Sequence, residues 1–172
     1  MNEKQAIALL KKYSKDEKGF DKVLKHVQAV KDLALEISEE IPSIDIEKVR
    51  IGSLLHDIGR FDCFPNNADK HGIRGAEILR SEGLHEYALI CERHLGAGIS
   101  KEEIKEQKLN LPLQDYIPIT KEEKVIAHAD NLIEGNKRIT LEQAVERFHK
   151  EIGKKAADKI KKLAEEVKSM KK

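Results

Sequence analysis

Apolar residues recur along this chain at intervals of three and four, and strict apolar–polar alternation is nearly absent. The pattern therefore predicts helices rather than strands. A first helix is expected over residues 3–13. A second, over about 20–40, carries Phe20, Val23, Leu24, Val27, Val30, Leu33, Ala34 and Ile37 on one continuous stripe and is stopped by Pro42. A third begins at the capping residue Asp45, and its segment VRIGSLLHDIG is apolar on nearly every side, as in a helix buried at the centre of a domain. Gly59 is expected to end that helix in the left-handed conformation. FDCFPNNADKHG reads as a loop, followed by short helices over 73–81 and 85–95. Residues 110–120, with Pro112 and Pro118, read as an ordered loop. Thr120 then caps a helix in which Glu123 completes a capping box. The tail, 141–170, is helical and highly charged.

These elements predict an all-α helical bundle forming one domain over residues 1–172. Its core lies at about 20–136, and charged C-terminal helices cover 140–171. There is no internal repeat, low-complexity tract or interdomain linker in the sequence.

Composition narrows the possible roles. Lys and Arg number 32 against 31 Asp and Glu, a balance that argues against general nucleic-acid binding. The charged residues, 37% of the chain, mix both signs, as on a surface laced with salt bridges. Cys63 and Cys91 lack CxxC spacing and are expected to pack as small apolar residues in a reducing compartment. The N-terminal stretch is amphipathic, and no run approaches 18 apolar residues, so a cytoplasmic protein without membrane contact is expected.

The chemistry lies in polar residues placed among apolar ones. His26 falls within the stripe of the second helix, and His94 continues the stripe Tyr87, Ile90, Cys91. His56 and Asp57 stand side by side at the end of the most buried helix, and Asp130 lies at the edge of the stripe Val125, Ile126, Ala129. A lone inward histidine is usually a hydrogen-bonded core residue. An unpaired buried carboxylate, however, is costly, so Asp57 needs a cation or strong donors. Imidazoles and carboxylates directed inward from several helices can satisfy one another by sharing a divalent metal. His128 lies about 200° round the helix from Asp130 and is not expected to reach the same metal. His85 and His149 read as surface residues.

His56-Asp57-Ile58-Gly59 resembles the HDIG form of the signature of HD-domain proteins, a superfamily of helical metal-dependent phosphohydrolases. The family pattern is a His, then His-Asp, then a distant Asp, and His26, His56-Asp57 and Asp130 follow that order. Some subgroups add two histidines between the pair and the last Asp and bind two metals. His71 and His94 resemble those two. The resemblance covers roughly residues 21–136. It implies a first metal held by His26, His56, Asp57 and Asp130, and a second held by His71 and His94 with Asp57 bridging. The two oxygens of a carboxylate suit that role. Two metals would activate a shared water to attack phosphorus. The ligand types suit iron, manganese, cobalt, nickel or zinc.

The expected catalytic residues are Asp57 and Arg60. Arg60 either contacts a substrate phosphate bidentately or pairs with Asp62. Arg93, Lys137 and Arg138 are further phosphate-binding candidates, with a solvated surface as the plainer reading. The resemblance implies hydrolysis of a phosphate ester or anhydride of a small, nucleotide-like substrate. Dinucleotide, cyclic-nucleotide and mononucleotide types all stay open. The Gly-Tyr-Pro extension of one cyclic-dinucleotide diesterase subgroup is absent from the sequence, which weakens that option. The loop LPLQDYIPIT is expected to form a substrate wall. The alternative is a non-catalytic metal- or nucleotide-binding regulatory module, against which the intact ligand set argues.

Overall fold

The computed structural model describes residues 1–171. The elements are α1 (Glu3–Tyr13), α2 (Glu17–Ser38), α3 (Ile46–Leu55), α4 (Arg60–Cys63), a 3-10 turn (Ala68–Lys70), α5 (His71–Ser81), α6 (His85–Arg93), α7 (Lys101–Gln107) and α8 (Lys121–Asn131). A two-stranded hairpin follows, β1 (Ile133–Glu134) and β2 (Lys137–Arg138), and then α9 (Leu141–Glu151) and α10 (Lys154–Ser169). The fold is all-α, as the periodicity predicts. In the antiparallel hairpin Ile133 faces Arg138 and Glu134 faces Lys137.

Local sequence fixes most helix starts. Asp16 and Asp45 accept from the backbone N–H groups of Gly19 and Lys48. Capping boxes formed by Asn2 with Gln5, Ser100 with Glu103, Thr120 with Glu123 and Thr140 with Gln143 open α1, α7, α8 and α9. Each such cap stabilises its helix by about 1 kcal/mol. Around the buried α3, whose Val49, Ile51, Leu54 and Leu55 are fully enclosed, pack α1, α2, α6 and α8. The pair α5–α6 lies to one side, and α10 holds α9 against the bundle through α8. Cys63 and Cys91 are buried free thiols.

Three features differ from the sequence pattern. Helix α2 starts three residues before its apolar stripe, because Asp16 rather than Phe20 marks the start. The segment 61–72 is not a loop throughout, since α4 and the 3-10 turn occupy part of it. The charged tail forms helices as expected, with a break at Gly153 (φ +127) that the pattern does not locate.

Gly59 also departs from expectation. Its φ is −70°, so it is right-handed and opens α4. Glycine is required there by packing: a Cβ would lie 2.0 Å from the His71 carbonyl oxygen and 2.5 Å from the Gly75 nitrogen. Backbone cannot yield to that contact. Gly59→Ala is therefore expected to destabilise the fold by about 3 kcal/mol or more, a drop of roughly 6–12 °C in thermal midpoint. Gly83→Ala, with open space around the site but φ +74, should cost only about 1–2 kcal/mol. Thermal melts followed by circular dichroism check both, and equal small losses would contradict the close-packing explanation.

Candidate metal centre

His56 follows the last turn of α3, His71 opens α5, His94 follows α6, and His26 sits mid-helix in α2. Each ring is anchored through Nδ1. His56 donates to the Ser53 carbonyl at 2.7 Å, His71 to Ala68 at 2.5 Å, and His94 to Cys91 at 2.7 Å. In these three the acceptor is three residues back, so the histidine's own turn sets the ring. His26 donates to the carbonyl of Gly135 at 2.7 Å, in the turn of the β1–β2 hairpin. A carbonyl oxygen can only accept, so Nδ1 carries the hydrogen and the Nε2 edge is left to face the site.

The Nε2 atoms converge on two carboxylates. His26 Nε2 lies 2.9 Å from Asp130 Oδ1 and 3.3 Å from Asp57 Oδ2. His56 Nε2 lies 3.5 Å from Asp130 Oδ1 and 3.6 Å from Asp57 Oδ2. On the other side, Asp57 Oδ1 faces His71 Nε2 at 3.1 Å and His94 Nε2 at 3.5 Å. Those two nitrogens are 3.0 Å apart. The six residues named from the sequence are thus brought together, with the two oxygens of Asp57 turned toward different histidine pairs. Among the described residues, three overlapping groups could each hold a metal ion: His26, His56 and Asp57; His56, His94 and Asp130; Asp57, His71 and His94.

Burial makes these charges consequential. Asp57 is 2% exposed and His56 fully buried. Burial alone would raise the Asp57 pKa, but His56, His71, His94 and Arg60 hold it well below the usual carboxylate range. Asp130 is likewise lowered against burial, chiefly by His26 and His56. Burial opposes charging His26, yet Asp130 and then Asp57 prevail and push it up to about 9. His71 is raised by Asp57 against burial, whereas burial and the neighbouring His56 and His71 lower His94. His56 Nε2 is buried without a hydrogen-bond partner. A lone pair in that position is expensive unless a cation meets it.

Arg60 Nη1 donates to Asp57 Oδ2 at 2.8 Å, and its guanidinium lies over the Phe64 ring at 4.5 Å. Asp62, the alternative partner, is taken by Arg74 at 2.7 Å. Arg93 is locked to both oxygens of Glu123 at 3.0 Å, and Arg138 to both oxygens of Glu36 at 2.9 Å. These two, and Lys137, do not line the cleft over the centre. His128 makes no contact with the cluster, and burial lowers its pKa to about 4. His85 and His149 are exposed.

The cleft has a volume of about 1440 Å³, and His26, Asp57, His71, His94 and Asp130 lie in its lining. Lys22 and Lys25 flank His26 on one wall. The loop 111–120 does not form the other wall, contrary to expectation. Tyr116 pairs with Ile99 and is buried, which stitches that loop to the outside. The wall is formed instead by residues 95–99 and by α9–α10, with Phe148 and Ile152. Pattern reading missed these two because their helix carries so many charges. The available signal was the apolar series Leu141, Val145, Phe148, Ile152 at helical spacing.

A family model described as HD domain matches residues 23–135. An uncharacterized protein of Methanocaldococcus jannaschii is 49% identical over 139 residues, 78% of this chain and 79% of its own length. Two proteins named tRNA (cytidine(56)-2'-O)-methyltransferase, from Picrophilus torridus and Thermoplasma volcanium, are each 42% identical over 98% and 94% of this chain. The chain spans only 47% and 45% of their lengths. Among solved structures, the HD domain of the L. monocytogenes phosphodiesterase PgpH in complex with cyclic-di-AMP aligns over 96% of this chain and 95% of that one. The TM-score is 0.55 and the identity 17%. A second structure of that domain aligns equally well at 18% identity. At such identities the likeness is one of fold.

The anchoring of all four rings by carbonyls has a direct spectroscopic consequence. In the metal-free protein, two-bond proton–nitrogen correlation spectra should show a proton on Nδ1 of His26, His56, His71 and His94. A neutral ring protonated only on Nε2 at any of the four would contradict the anchoring.

Proposed function

The chain belongs to the HD-domain family, and from that premise we propose that it is a metal-dependent phosphohydrolase of the HDIG type. It cleaves a phosphate ester or anhydride of a nucleotide-like substrate with water. The observation that carries this reading is the division at Asp57, whose Oδ2 faces His26 and His56 while Oδ1 faces His71 and His94.

The donor set fits divalent metal. Four imidazoles are fixed with Nε2 inward, one of those nitrogens is buried without a partner, and two carboxylates stay charged beside them. His26, His56, Asp57 and Asp130 would hold a first ion. His71 and His94 would hold a second, with Asp57 shared. Iron, manganese, cobalt, nickel and zinc all suit such nitrogen and oxygen donors. When bound, the metal supplies a Lewis acid and lowers the pKa of water toward neutrality.

The chain's own residues do the rest. The carbonyl anchors hold the imidazoles in place, so little reorganisation is needed on binding. Arg60 uses one N–H to orient Asp57. A guanidinium has five such donors, and those remaining at this half-exposed position can bind a phosphate oxygen. Lys22 and Lys25 add positive charge at the mouth. At Asp57 and the enclosed rings, burial strengthens the electrostatic interactions by excluding water.

PgpH acts as a phosphodiesterase and its HD domain binds cyclic-di-AMP, which supports a nucleotide ligand here. The two methyltransferase relatives place a segment like this one within tRNA-modifying proteins, which adds RNA bearing a terminal phosphate to the substrates worth assaying. Among the described residues no helix is long and apolar enough to cross a membrane.

Hydrolysis is expected from protein loaded with Mn²⁺, Co²⁺ or Ni²⁺ and offered mononucleotides, dinucleotides, cyclic dinucleotides and RNA with a terminal phosphate. Inactivity toward the whole panel with every metal would overturn the enzyme reading in favour of a regulatory module. Asp57→Ala should lose bound metal by elemental analysis and lose turnover, with the helical circular dichroism spectrum retained. Full activity in that variant would refute the assignment. Arg60→Ala should keep its metal and raise KM about ten- to hundredfold, the value of a charge-assisted hydrogen bond.

A further inference from the structure

The cleft lining combines the charged centre with partly exposed apolar side chains. Around the candidate metal ligands it is charged, with Lys22, Lys25 and Arg60 beside His26 and Asp57. Elsewhere its lining includes the apolar Leu95, Ile99, Leu109, Phe148 and Ile152, set among charged side chains such as Arg147, Glu151, Lys155 and Lys159. Phe148 is only partly buried, and Ile152, a helical turn further on, is 59% exposed. Apolar groups lining a cleft beside a charged centre mark the part of a ligand that is not phosphate.

Phe148 is held close to the ligand-bearing segments. Its ring packs on Gly96, two residues beyond His94, where a Cβ would come within 3.1 Å of the ring carbon Cε1. With φ +59, Gly96 both turns the chain and leaves room for the ring. Asn131, next to Asp130, donates from Nδ2 to the Gly96 carbonyl at 2.9 Å, and Arg147 donates to the Asn131 carbonyl at 3.0 Å. The Arg147 guanidinium lies 5.3 Å from the centre of the Phe148 ring. Phe148 is thus fixed relative to both His94 and Asp130. It lies outside residues 23–135, the segment matched by the family model.

We infer that Phe148, with Ile152 beside it, forms a base-binding wall: the heteroaromatic base of a nucleotide stacks on the Phe148 ring while its phosphate occupies the charged centre. This rests on the phosphohydrolase reading only for where the phosphate lies. A flat ring, held in place and backed by a guanidinium, favours a planar group over an alkyl chain. A sugar phosphate or inorganic polyphosphate would leave the wall in water.

The chain contains no tryptophan, so Phe148→Trp introduces a single tryptophan at the wall, excited selectively over the tyrosines. Its emission is titrated, with and without Mn²⁺, with AMP, GMP, CMP and UMP and, as the base-free control, with ribose 5-phosphate. At least one nucleotide is expected to quench it saturably while ribose 5-phosphate does not. Phe148→Ala should weaken binding of that nucleotide about tenfold or more, as loss of base stacking implies, and leave ribose 5-phosphate binding unchanged. If either variant fails to fold, Ile152→Trp as reporter and Ile152→Asp as disruptor, both at an exposed position, carry the same test. Absence of quenching by all four nucleotides, or an equal response to ribose 5-phosphate, would overturn the proposal. Quenching without hydrolysis of any substrate would uphold the wall and fault the phosphohydrolase reading, and hydrolysis without quenching would do the reverse.

Discussion

A carboxylate buried in the middle of a protein has to meet positive charge or strong donors. Asp57 is that group here, and the architecture around it answers the requirement. It lies just past the buried end of α3 and is itself only 2% exposed. Arg60, one turn on, supplies one partner, and four imidazole edges supply the remainder. The hairpin after α8 contributes one residue, Ile133, to the core. Its turn carbonyl at Gly135 also orients His26, and through that ring the geometry of both carboxylates.

Convergence of this kind depends on backbones lying unusually close. A side chain at Gly72 would strike the Cys91 carbonyl at 2.6 Å, and one at Gly59 would strike the His71 carbonyl. The chain after α3 and the helices α5 and α6 are therefore pressed together where His71 and His94 must meet. The 3.0 Å separation of their Nε2 atoms is unfavourable for two bare lone pairs, and the adjacent Asp57 draws positive charge toward the same point. Dense packing and an unmet need for a cation thus arise from the same residues.

The site was more legible in the sequence than the fold details were. A histidine or carboxylate within an apolar stripe is a local signal, and the spacing of His26, His56-Asp57, His94 and Asp130 within their helices pointed each inward before any contact was known. His71 entered through the family resemblance, since its surroundings in sequence look solvated. What could not be read depends on distant backbone. Nothing near Gly135 announces a carbonyl for a ring 109 residues away. Arg93 looked free because Glu123 lies on another helix. The glycine rule for helix ends failed at Gly59 because tertiary contact, not a left-handed turn, requires that residue. The short helix α7 escaped notice with only Glu103 and Ile104 buried. The α9–α10 wall was hidden by charge, though its apolar spacing was present.

Asp57 gives the structure its functional meaning only if both its oxygens serve metal. Diffraction data collected at the manganese absorption edge, from crystals saturated with Mn²⁺, address this directly. Two anomalous peaks are expected per chain, one within bonding distance of Asp57, His26, His56 and Asp130 and the other of Asp57, His71 and His94. Peaks that leave Asp57 uncontacted, or the absence of any ion on one side of it at saturation, would contradict its bridging role.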